Sequence, residues 1–316
     1  MRILQAASEA APFAKTGGLG DIAGSLPAAL AAEGLEVTLV LPLYTCCRES
    51  GLPLVPTGRE VRVPVGSETV AGRLWFSPAT AGRVDTVLIE CDRFYRRERL
   101  YGVGAQDYPD NPARFVFLSR ATLEAAKTLN LRPDVVHVHD WQTALVPAYL
   151  KTLYAKDPVL GAAKSLLTIH NLGYQGLFPA ADMALTGLPG DLFNWKQLEF
   201  WGHLNFLKGG IVFADALNTV SPNYAREIQT EAFGHGLDGA LRDRRADLHG
   251  ILNRIDDATW NPGTDPLIAR NYSARDFSGK AACREALREE MGLEASDAPL
   301  AGIISRFADQ IGRAHV

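Results

Sequence analysis

The sequence predicts an α/β protein built around a parallel sheet. One observation indicates this fold class, and two others indicate a globular chain that is long enough for it. Short apolar runs rich in β-branched residues alternate with segments of helical periodicity, which is the pattern of βα units. The chain of 316 residues is 47% hydrophobic and 22% charged, close to the average globular composition. Its length allows two domains, since one domain takes roughly 100–200 residues.

Charge and composition exclude several classes of protein. Lysine and arginine total 32 against 36 aspartate and glutamate, so no basic excess favours nucleic-acid binding. No apolar run reaches the roughly 18 residues of a membrane-spanning helix. The first residues lack the apolar core of a signal peptide, and the four cysteines form no CxxC pair. We expect a cytoplasmic protein with reduced thiols and with no nucleic-acid or membrane partner.

The first 130 residues predict two parallel strands joined by a helix, then an antiparallel region and a long helix. The first helix ends at Gly34, a residue type common just after a helix C-terminus, and Pro42 closes the second strand. Three later runs alternate in polarity, so we expect a hairpin region attached to the parallel core. The predicted strands span 3–7, 36–41, 61–65, 71–76 and 86–91, and the predicted helices span 19–33 and 111–130.

Three short buried strands follow in the middle of the chain, at 135–139, 165–170 and 216–220. Each of them ends in polar residues. In an open α/β sheet, ligands collect at the carboxyl ends of the strands. We therefore expect the functional site at the ends of these three strands.

The last third of the chain changes character. A short strand at 250–252 precedes a loop at 260–266 and an amphipathic helix at 280–291, and a strand is predicted at 300–305. That last strand is interpreted as the opening of a second α/β domain, because a parallel strand needs neighbours. We expect a complete domain at 1–252, a linker and helix at 253–299, and the start of a second domain at 300–316.

The segment Lys15-Thr16-Gly17-Gly18-Leu19-Gly20-Asp21 is the most specific motif found from the residues alone. Its glycines let backbone N–H groups approach a ligand closely. The helix that follows places its positive end there, which suits a phosphate or a sugar oxygen. Lys15 can add a point charge for a diphosphate. A glycine-rich turn without a ligand is the alternative interpretation.

A dinucleotide site is a further alternative for this segment. Gly18, Gly20 and Ala23 satisfy G-x-G-x-x-A, the dinucleotide fingerprint. However, the glycines lie about ten residues beyond the first strand, where the fingerprint requires a tight turn. The second strand also ends at Tyr44 without an acidic residue for a ribose hydroxyl. These two features count against the dinucleotide interpretation.

Polar residues end the middle strands in two clusters, at 137–141 and 170–176. The two-residue period of a strand puts His137 and His139 on one face, which resembles a metal pair. No third ligand follows at a typical spacing, so we favour a hydrogen-bonded histidine that binds sugar hydroxyls beside Asp140. Trp141 is equally consistent with stacking on a sugar ring and with packing in the core.

Taken together, these motifs resemble the N-terminal signature of bacterial glycogen synthase and plant starch synthase. The resemblance implies a retaining glucosyltransferase of GT-B fold, with a complete N-terminal Rossmann-like domain and the beginning of a second. The family transfers glucose from ADP-glucose to the non-reducing end of an α-1,4-glucan. The matching segments are residues 8–9, 15–21, 133–141, 168–176, 208–214, 219–222 and 224–228.

The resemblance also implies roles for individual residues. Lys15 matches the contact to the phosphates of ADP-glucose, and Gly17 and Gly18 match the loop that admits the diphosphate. No cofactor is implied, because ADP-glucose is consumed as a substrate. The residues implied in glucosyl transfer are Asp21, Asp140, His170, which is expected to stabilise the transition state, and Arg306, which is expected to bind the diphosphate.

The chain departs from the family pattern at two places. It has Arg254 where the family has glycine, which is expected to strain that turn if its φ is positive. It also has Ile311 where the family has a donor-binding lysine. We interpret 311–316 as non-native sequence at the end of a truncated second domain. We accordingly expect little transferase activity from this chain alone, with a non-catalytic glucan-binding module as the alternative.

Overall fold

The computed structural model describes residues 1–78, 84–104, 106–253 and 260–304. The chain divides into two compact units, Met1–Asn253 and Arg254–Val316. The first unit contains nearly all of the regular secondary structure. The second unit contains one long helix among its described residues.

The secondary structure of the first unit alternates between strands and helices over most of its length. The strands are β1 Arg2–Ala6, β2 Glu36–Pro42, β3 Val55–Val65, β4 Glu68–Ser77, β5 Thr86–Glu90, β6 Gly102–Val103, β7 Gln106–Asp107, β8 Val135–His139, β9 Lys164–Ile169, β10 Leu177–Pro179, β11 Glu199–Phe200, β12 His203–Asn205, β13 Ala216–Thr219 and β14 Leu248–Gly250. The helices are α1 Gly18–Ala32, α2 Thr45–Arg48, α3 Asp92–Tyr95, α4 Asn111–Thr128, α5 Asp140–Thr143, α6 Leu145–Lys151, α7 Met183–Thr186, α8 Phe206–Phe213, α9 Pro222–Glu227 and α10 Asp238–Asp243, with short 3₁₀ turns at Ala180–Asp182 and Gly190–Leu192.

Nine of the described strands form one sheet in the order β14-β13-β9-β8-β1-β2-β5-β4-β3. The strands from β14 to β5 run parallel, whereas β4 and β3 are antiparallel to their neighbours. The predicted parallel core and the antiparallel region attached to it are thus both observed. The chain builds the sheet outward from β1 in one direction and then returns to add β8 on the other side. The topological switch point therefore lies between β1 and β8, where α/β sheets bind ligands.

Helix α4 is buried over most of its length because apolar side chains cover it on several sides. Its Arg114 is fully buried, yet each part of the guanidinium has an acceptor. Nε donates to the Phe94 carbonyl at 2.9 Å and Nη2 donates to the Leu100 carbonyl at 2.8 Å. Because a buried charge is tolerated only when it is hydrogen-bonded, Arg114 fixes the loop at 94–100 against the helix.

The second unit differs from its prediction at one strand. Its helix α11 spans Ser278–Glu290, and Gly292 follows with a φ of +64°, the left-handed conformation that a glycine commonly adopts just after a helix C-terminus. The strand predicted at 300–305 is not observed at 300–304, and Ser305 lies outside the described residues. A strand needs a hydrogen-bonded neighbour, and none among the described strands pairs with this segment.

In the first unit, the strand predicted at 250–252 lies two residues earlier, as β14.

No helix within the described ranges is long and apolar enough to cross a bilayer.

Candidate active site

Polar residues meet at the carboxyl ends of three neighbouring strands, β1, β8 and β9. Glu9 follows β1, Asp140 follows β8, and His170 follows β9. The sequence predicted that strand ends would gather at one edge, and β8, β9 and β13 are indeed neighbours in the sheet. Because the switch point separates β1 from β8, these residues surround the gap that it creates.

Asp140 links the turn after β8 to the turn after β9. Its backbone has a φ of +51°, a left-handed conformation that non-glycine residues rarely adopt outside functional or strained positions. The side chain is buried, and Oδ1 accepts hydrogen bonds from the backbone N–H of His170 at 2.7 Å and of Asn171 at 3.5 Å. The carboxyl group thereby fixes where the chain turns after β9.

The environment of Asp140 disfavours its charged form. Burial raises the pKa of this carboxyl group to about 7, although the two backbone donors act in the opposite direction. The nearby charge of Glu9 raises the pKa further. The Asp140 carboxyl group is therefore protonated more readily than an exposed aspartate.

Three imidazoles, those of His137, His139 and His170, form a row from β8 to the end of β9. The rings of His137 and His139 lie 4.3 Å apart on one face of β8, as the strand period predicted. His139 Nδ1 is 2.9 Å from His170 Nε2, which joins the ends of β8 and β9. Burial lowers the pKa of His137 to about 3 and of His170 to about 4, and the pKa of His139 lies well below its ordinary value. All three rings are neutral at pH 7.

Hydrogen bonds also fix the tautomer of His137. Thr168 Oγ1 donates to Asn218 Oδ1 at 2.5 Å, so it accepts from His137 Nε2 at 2.6 Å. Three ring nitrogens of this row, His137 Nε2, His139 Nδ1 and His170 Nε2, thus bond to protein groups, whereas His139 Nε2 is buried without a hydrogen-bond partner among the described residues. Across the described residues, no group of three or more His, Cys, Asp or Glu side chains is placed to hold a metal ion.

Trp141 belongs to the core, which decides between its two interpretations. Its ring is buried and packs edge-on against Phe115, with ring centroids 4.8 Å apart. Gly176 lies against the indole so closely that a Cβ atom there would come within 2.5 Å of Trp141 Cε3. The indole therefore packs against the loop after β9 and has no free face for a sugar ring.

The glycine segment before α1 has a different character, since its charged groups face the solvent. Lys15 Nζ and Asp21 Oδ1 form an ion pair at 2.6 Å, with both side chains about half exposed. Gly17 is extended and precedes the first turn of the helix. A Cβ atom at Gly18 would meet nothing within 4 Å, so the backbone there has open space beside it. That space is what the predicted approach of a ligand requires.

Glu9 holds this segment to the end of β1. Its carboxylate, only 3% exposed, accepts hydrogen bonds from the Thr16 backbone N–H and from Thr16 Oγ1 at 2.9 Å. Tyr101 also donates to it, at 2.9 Å. Glu9 lies in one of the sequence segments that match the family, but no role was predicted for it. One of its partners, Tyr101, lies 92 residues away in sequence, so only the position of Glu9 close to the glycine motif could have indicated a role.

The predicted site residues fall into three groups. Asp140 and His170 are joined by hydrogen bonds at the strand ends. Lys15 and Asp21 form a separate ion pair beside Gly17 and Gly18 on the glycine segment. Arg306 lies outside the described residues, as do Arg254 and Ile311.

A cavity of about 720 Å³ opens beside the glycine segment. Residues of the loop between α3 and α4 form its far side. Its lining residues are Pro12, Phe13, Ala14, Lys15, Thr16, Cys46, Glu98, Arg99, Leu100, Tyr101, Gly102, Gly104, Gln106 and Asp107.

Comparison with known proteins decides the family. A family model described as the starch synthase catalytic domain matches residues 2–243. The chain belongs to this family. The starch synthase resemblance of the sequence is therefore confirmed, and so is the GT-B α/β fold class.

Relatives of the starch synthase family match almost the entire chain. It is 46% identical over 313 residues to glycogen synthase 2 of Geobacter sulfurreducens, covering 99% of this chain and 64% of that protein. It is 49% identical over 314 residues to the glycogen synthase of Anaeromyxobacter sp. strain Fw109-5, with 99% and 64% covered. The chain thus spans about 64% of the length of these relatives.

A solved starch synthase structure shares the fold. It is the catalytic domain of starch synthase IV from Arabidopsis thaliana bound to ADP and acarbose. The match has a TM-score of 0.83 at 33% sequence identity, and it covers 94% of this chain and 60% of that chain.

Proposed function

We propose that the protein transfers glucose from ADP-glucose to the non-reducing end of an α-1,4-glucan, with retention of the anomeric configuration. In this proposal the first unit supplies the acceptor side of the reaction. The observation that carries the proposal is the hydrogen-bonded pair of turns at Asp140 and His170, placed at the switch point of a starch synthase family sheet. The glycogen synthase names of its relatives and the ADP-bound neighbour agree with it.

His170 contacts the transferred glucosyl group in this proposal. Its Nε2 is engaged by His139, which sets the orientation of the ring. Because burial keeps the imidazole neutral, it can hydrogen-bond a sugar hydroxyl without adding a positive charge beside the developing oxocarbenium character. Asp140 fixes the backbone of His170 and lines the acceptor side.

Lys15 compensates the charge that develops on the departing ADP. The ammonium lies on an open loop, and its ion-pair partner Asp21 is equally accessible to solvent. An exposed ion pair contributes little stability, so Lys15 loses little free energy when it leaves Asp21 to bind a diphosphate. Gly17 and Gly18 leave the backbone accessible to the same phosphates. Arg306 is proposed as a second cation for the diphosphate, and a cytoplasmic location remains part of the proposal.

Glucan binding and glucose transfer are expected to differ in this chain. We expect the 316-residue protein to bind maltoheptaose while transferring glucose from radiolabelled ADP-glucose slowly or not at all. His170→Ala should weaken maltoheptaose or ADP-glucose binding about fivefold in titration calorimetry, since one hydrogen bond contributes about 1 kcal/mol. The matched control is His249→Ala, an exposed histidine on β14, which should change neither affinity.

Lys15→Ala separates the enzyme from its main alternative. If the proposal is right, this substitution weakens ADP-glucose binding and leaves maltoheptaose binding unchanged. If ADP-glucose does not bind and maltoheptaose still does, the chain is a glucan-binding module. Rapid glucose transfer by the chain alone would contradict the expected low activity, although it would support the reaction itself.

A further inference from the structure

The hairpin between β11 and β12 turns through a tryptophan. Phe200 pairs with His203 across the two strands, so the turn consists of Trp201 and Gly202. Their φ angles are +52° and +79°, and positive values at both positions are typical of a type I′ turn. The first position of such a turn favours asparagine, aspartate or glycine, because larger side chains are strained there. Turn formation therefore does not explain a tryptophan at position 201.

Burial does not explain Trp201 either. Its side chain is 82% exposed, more than any other tryptophan that the structure describes. Phe200 contacts it edge-on, with ring centroids 6.3 Å apart, and most of the indole remains open to solvent. Residues that are unfavourable for the local fold and sit on strained backbone are concentrated at binding sites. Trp201 is therefore a candidate for contact with a ligand.

A series of contacts connects Trp201 to the loop after β9. Gly236 lies beside the hairpin, since a Cβ atom there would be 3.7 Å from Trp201 Nε1. The preceding residue, His235, has a φ of +46°, and its carbonyl accepts a hydrogen bond from Gln175 Nε2 at 3.0 Å. Gln175 belongs to the loop that begins at His170. The surface beside Trp201 is thus continuous with the candidate active site.

The exposed groups between Trp201 and the strand ends suit a neutral sugar chain. Tyr174, on the loop after β9, is 57% exposed, and His235 is exposed as well. The His235 ring lies against this loop, 3.7 Å from the position that a Cβ atom of Gly173 would take. Aromatic faces pack on the apolar faces of sugar rings, while phenol and imidazole groups hydrogen-bond to hydroxyls. A glucan offers both kinds of surface along its length.

We propose that Trp201 binds the acceptor α-1,4-glucan by stacking on one of its glucose rings, away from the reacting end. This inference rests on the proposed function, which places the non-reducing end of the acceptor at His170. From there the glucan continues past Tyr174 and His235 to Trp201. The stacked ring takes no part in bond making or breaking, so Trp201 contributes to acceptor affinity and is not a catalytic residue.

An asparagine at position 201 separates glucan binding from folding. Because a type I′ turn favours asparagine at its first position, Trp201→Asn should not lower the midpoint of urea unfolding. The same substitution should weaken maltoheptaose binding to the 316-residue protein about fivefold in titration calorimetry, since one aromatic contact contributes about 1 kcal/mol. Trp201→Tyr keeps a ring and should retain most of the affinity. A tryptophan needed only for the fold would give a lower midpoint in Trp201→Asn.

Trp260 provides the matched control, because it is 74% exposed and belongs to the second unit. Trp260→Asn should leave maltoheptaose affinity unchanged. A direct readout is fluorine NMR of the protein labelled with 5-fluorotryptophan, which carries five labels per chain. The Trp201 signal is identified by its absence in Trp201→Tyr, and it should shift when maltoheptaose is added.

Three results would overturn the proposal: no maltoheptaose binding at all, unchanged affinity or a lower unfolding midpoint in Trp201→Asn, or a Trp201 signal that maltoheptaose does not shift. The proposed function can fail separately. If Trp201→Asn weakens maltoheptaose binding but ADP-glucose does not bind, the glucan contact stands and the transfer reaction does not. If His170→Ala and Lys15→Ala behave as expected while Trp201→Asn binds maltoheptaose normally, the transfer reaction stands without this contact.

Discussion

The two halves of the candidate site handle charge in opposite ways. At the strand ends, Asp140 is 7% exposed and its environment favours the neutral form, as do the surroundings of His170. On the glycine segment, the side chains of Lys15 and Asp21 are 50% and 55% exposed and form an ion pair. The comparison suggests a division of labour: buried hydrogen bonds fix geometry at the strand ends, and the segment keeps its charge available to a ligand.

The largest difference between the halves is expected from two glycine substitutions. Gly176→Ala combines a φ of +63° with a Cβ position 2.5 Å from Trp141, so it should lower the free energy of unfolding by about 2–4 kcal/mol. Gly18→Ala meets nothing within 4 Å at the first position of α1, so it should change that free energy by less than about 1 kcal/mol. Urea denaturation measures both. Equal losses would show that the two halves are equally rigid.

The next difference concerns pH. The pKa of each histidine in the row is lower in the folded protein than in the unfolded chain. Their contribution to the free energy of unfolding is therefore complete above about pH 6.5 and is lost as the pH falls toward 4. Asp140 acts in the opposite direction: its pKa is raised to about 7, so its contribution to that free energy is lost as the pH rises from 4 to 7. The two effects partly cancel between pH 7 and pH 5.

Removing Asp140 should expose the histidine effect. Between pH 7 and pH 5, Asp140→Asn should lose about 2 kcal/mol more of its free energy of unfolding than the unsubstituted protein loses. Asparagine still accepts the two backbone hydrogen bonds and tolerates a positive φ. Asp21→Asn is the matched control on the exposed half, and its pH dependence should follow that of the unsubstituted protein. Denaturant titrations at several pH values test this, and parallel curves for all three proteins would refute it.

The smallest effect is expected from the exposed ion pair. Lys15→Ala should change the free energy of unfolding by no more than about 0.5 kcal/mol, because water and ions screen a surface pair. The difference should shrink further in 0.5 M NaCl, where the Debye length is a few ångströms. A loss above 2 kcal/mol that salt does not reduce would mean that the segment is structurally rigid, and the contrast between the halves would disappear.

The sheet was predictable where the strands are continuous apolar runs. The strands of the parallel core were found because buried parallel strands appear as short continuous apolar runs. The small sheet of β10, β11 and β12 was missed, since two- and three-residue strands such as Glu199–Phe200 carry no periodicity. Segment 300–304 shows the converse error. Its apolar residues favour a strand, but strand formation depends on a partner that sequence pattern does not reveal.

The residues of the site were easier to predict than their interactions. Strand ends and glycines drew attention to Asp140, His170 and Lys15 from the sequence alone. The contact between Asp140 and His170 runs through a backbone N–H, which no residue type encodes. Glu9 likewise accepts a hydrogen bond from Tyr101, which lies 92 residues away in sequence, whereas its other partner, Thr16, is only 7 residues away.

The central position of β1 affects how the protein is made. Of the described strands, β1 is synthesised first, and it is paired on both sides in the folded sheet, by β2 and by β8. Its second partner arrives late, since Arg2 bonds to Asp134 across 132 residues. At the usual pace of about 5–20 residues per second, one edge of β1 waits on the order of ten seconds during translation. Throughout that delay, an apolar nascent strand is available to chaperones and to neighbouring chains on the same messenger RNA.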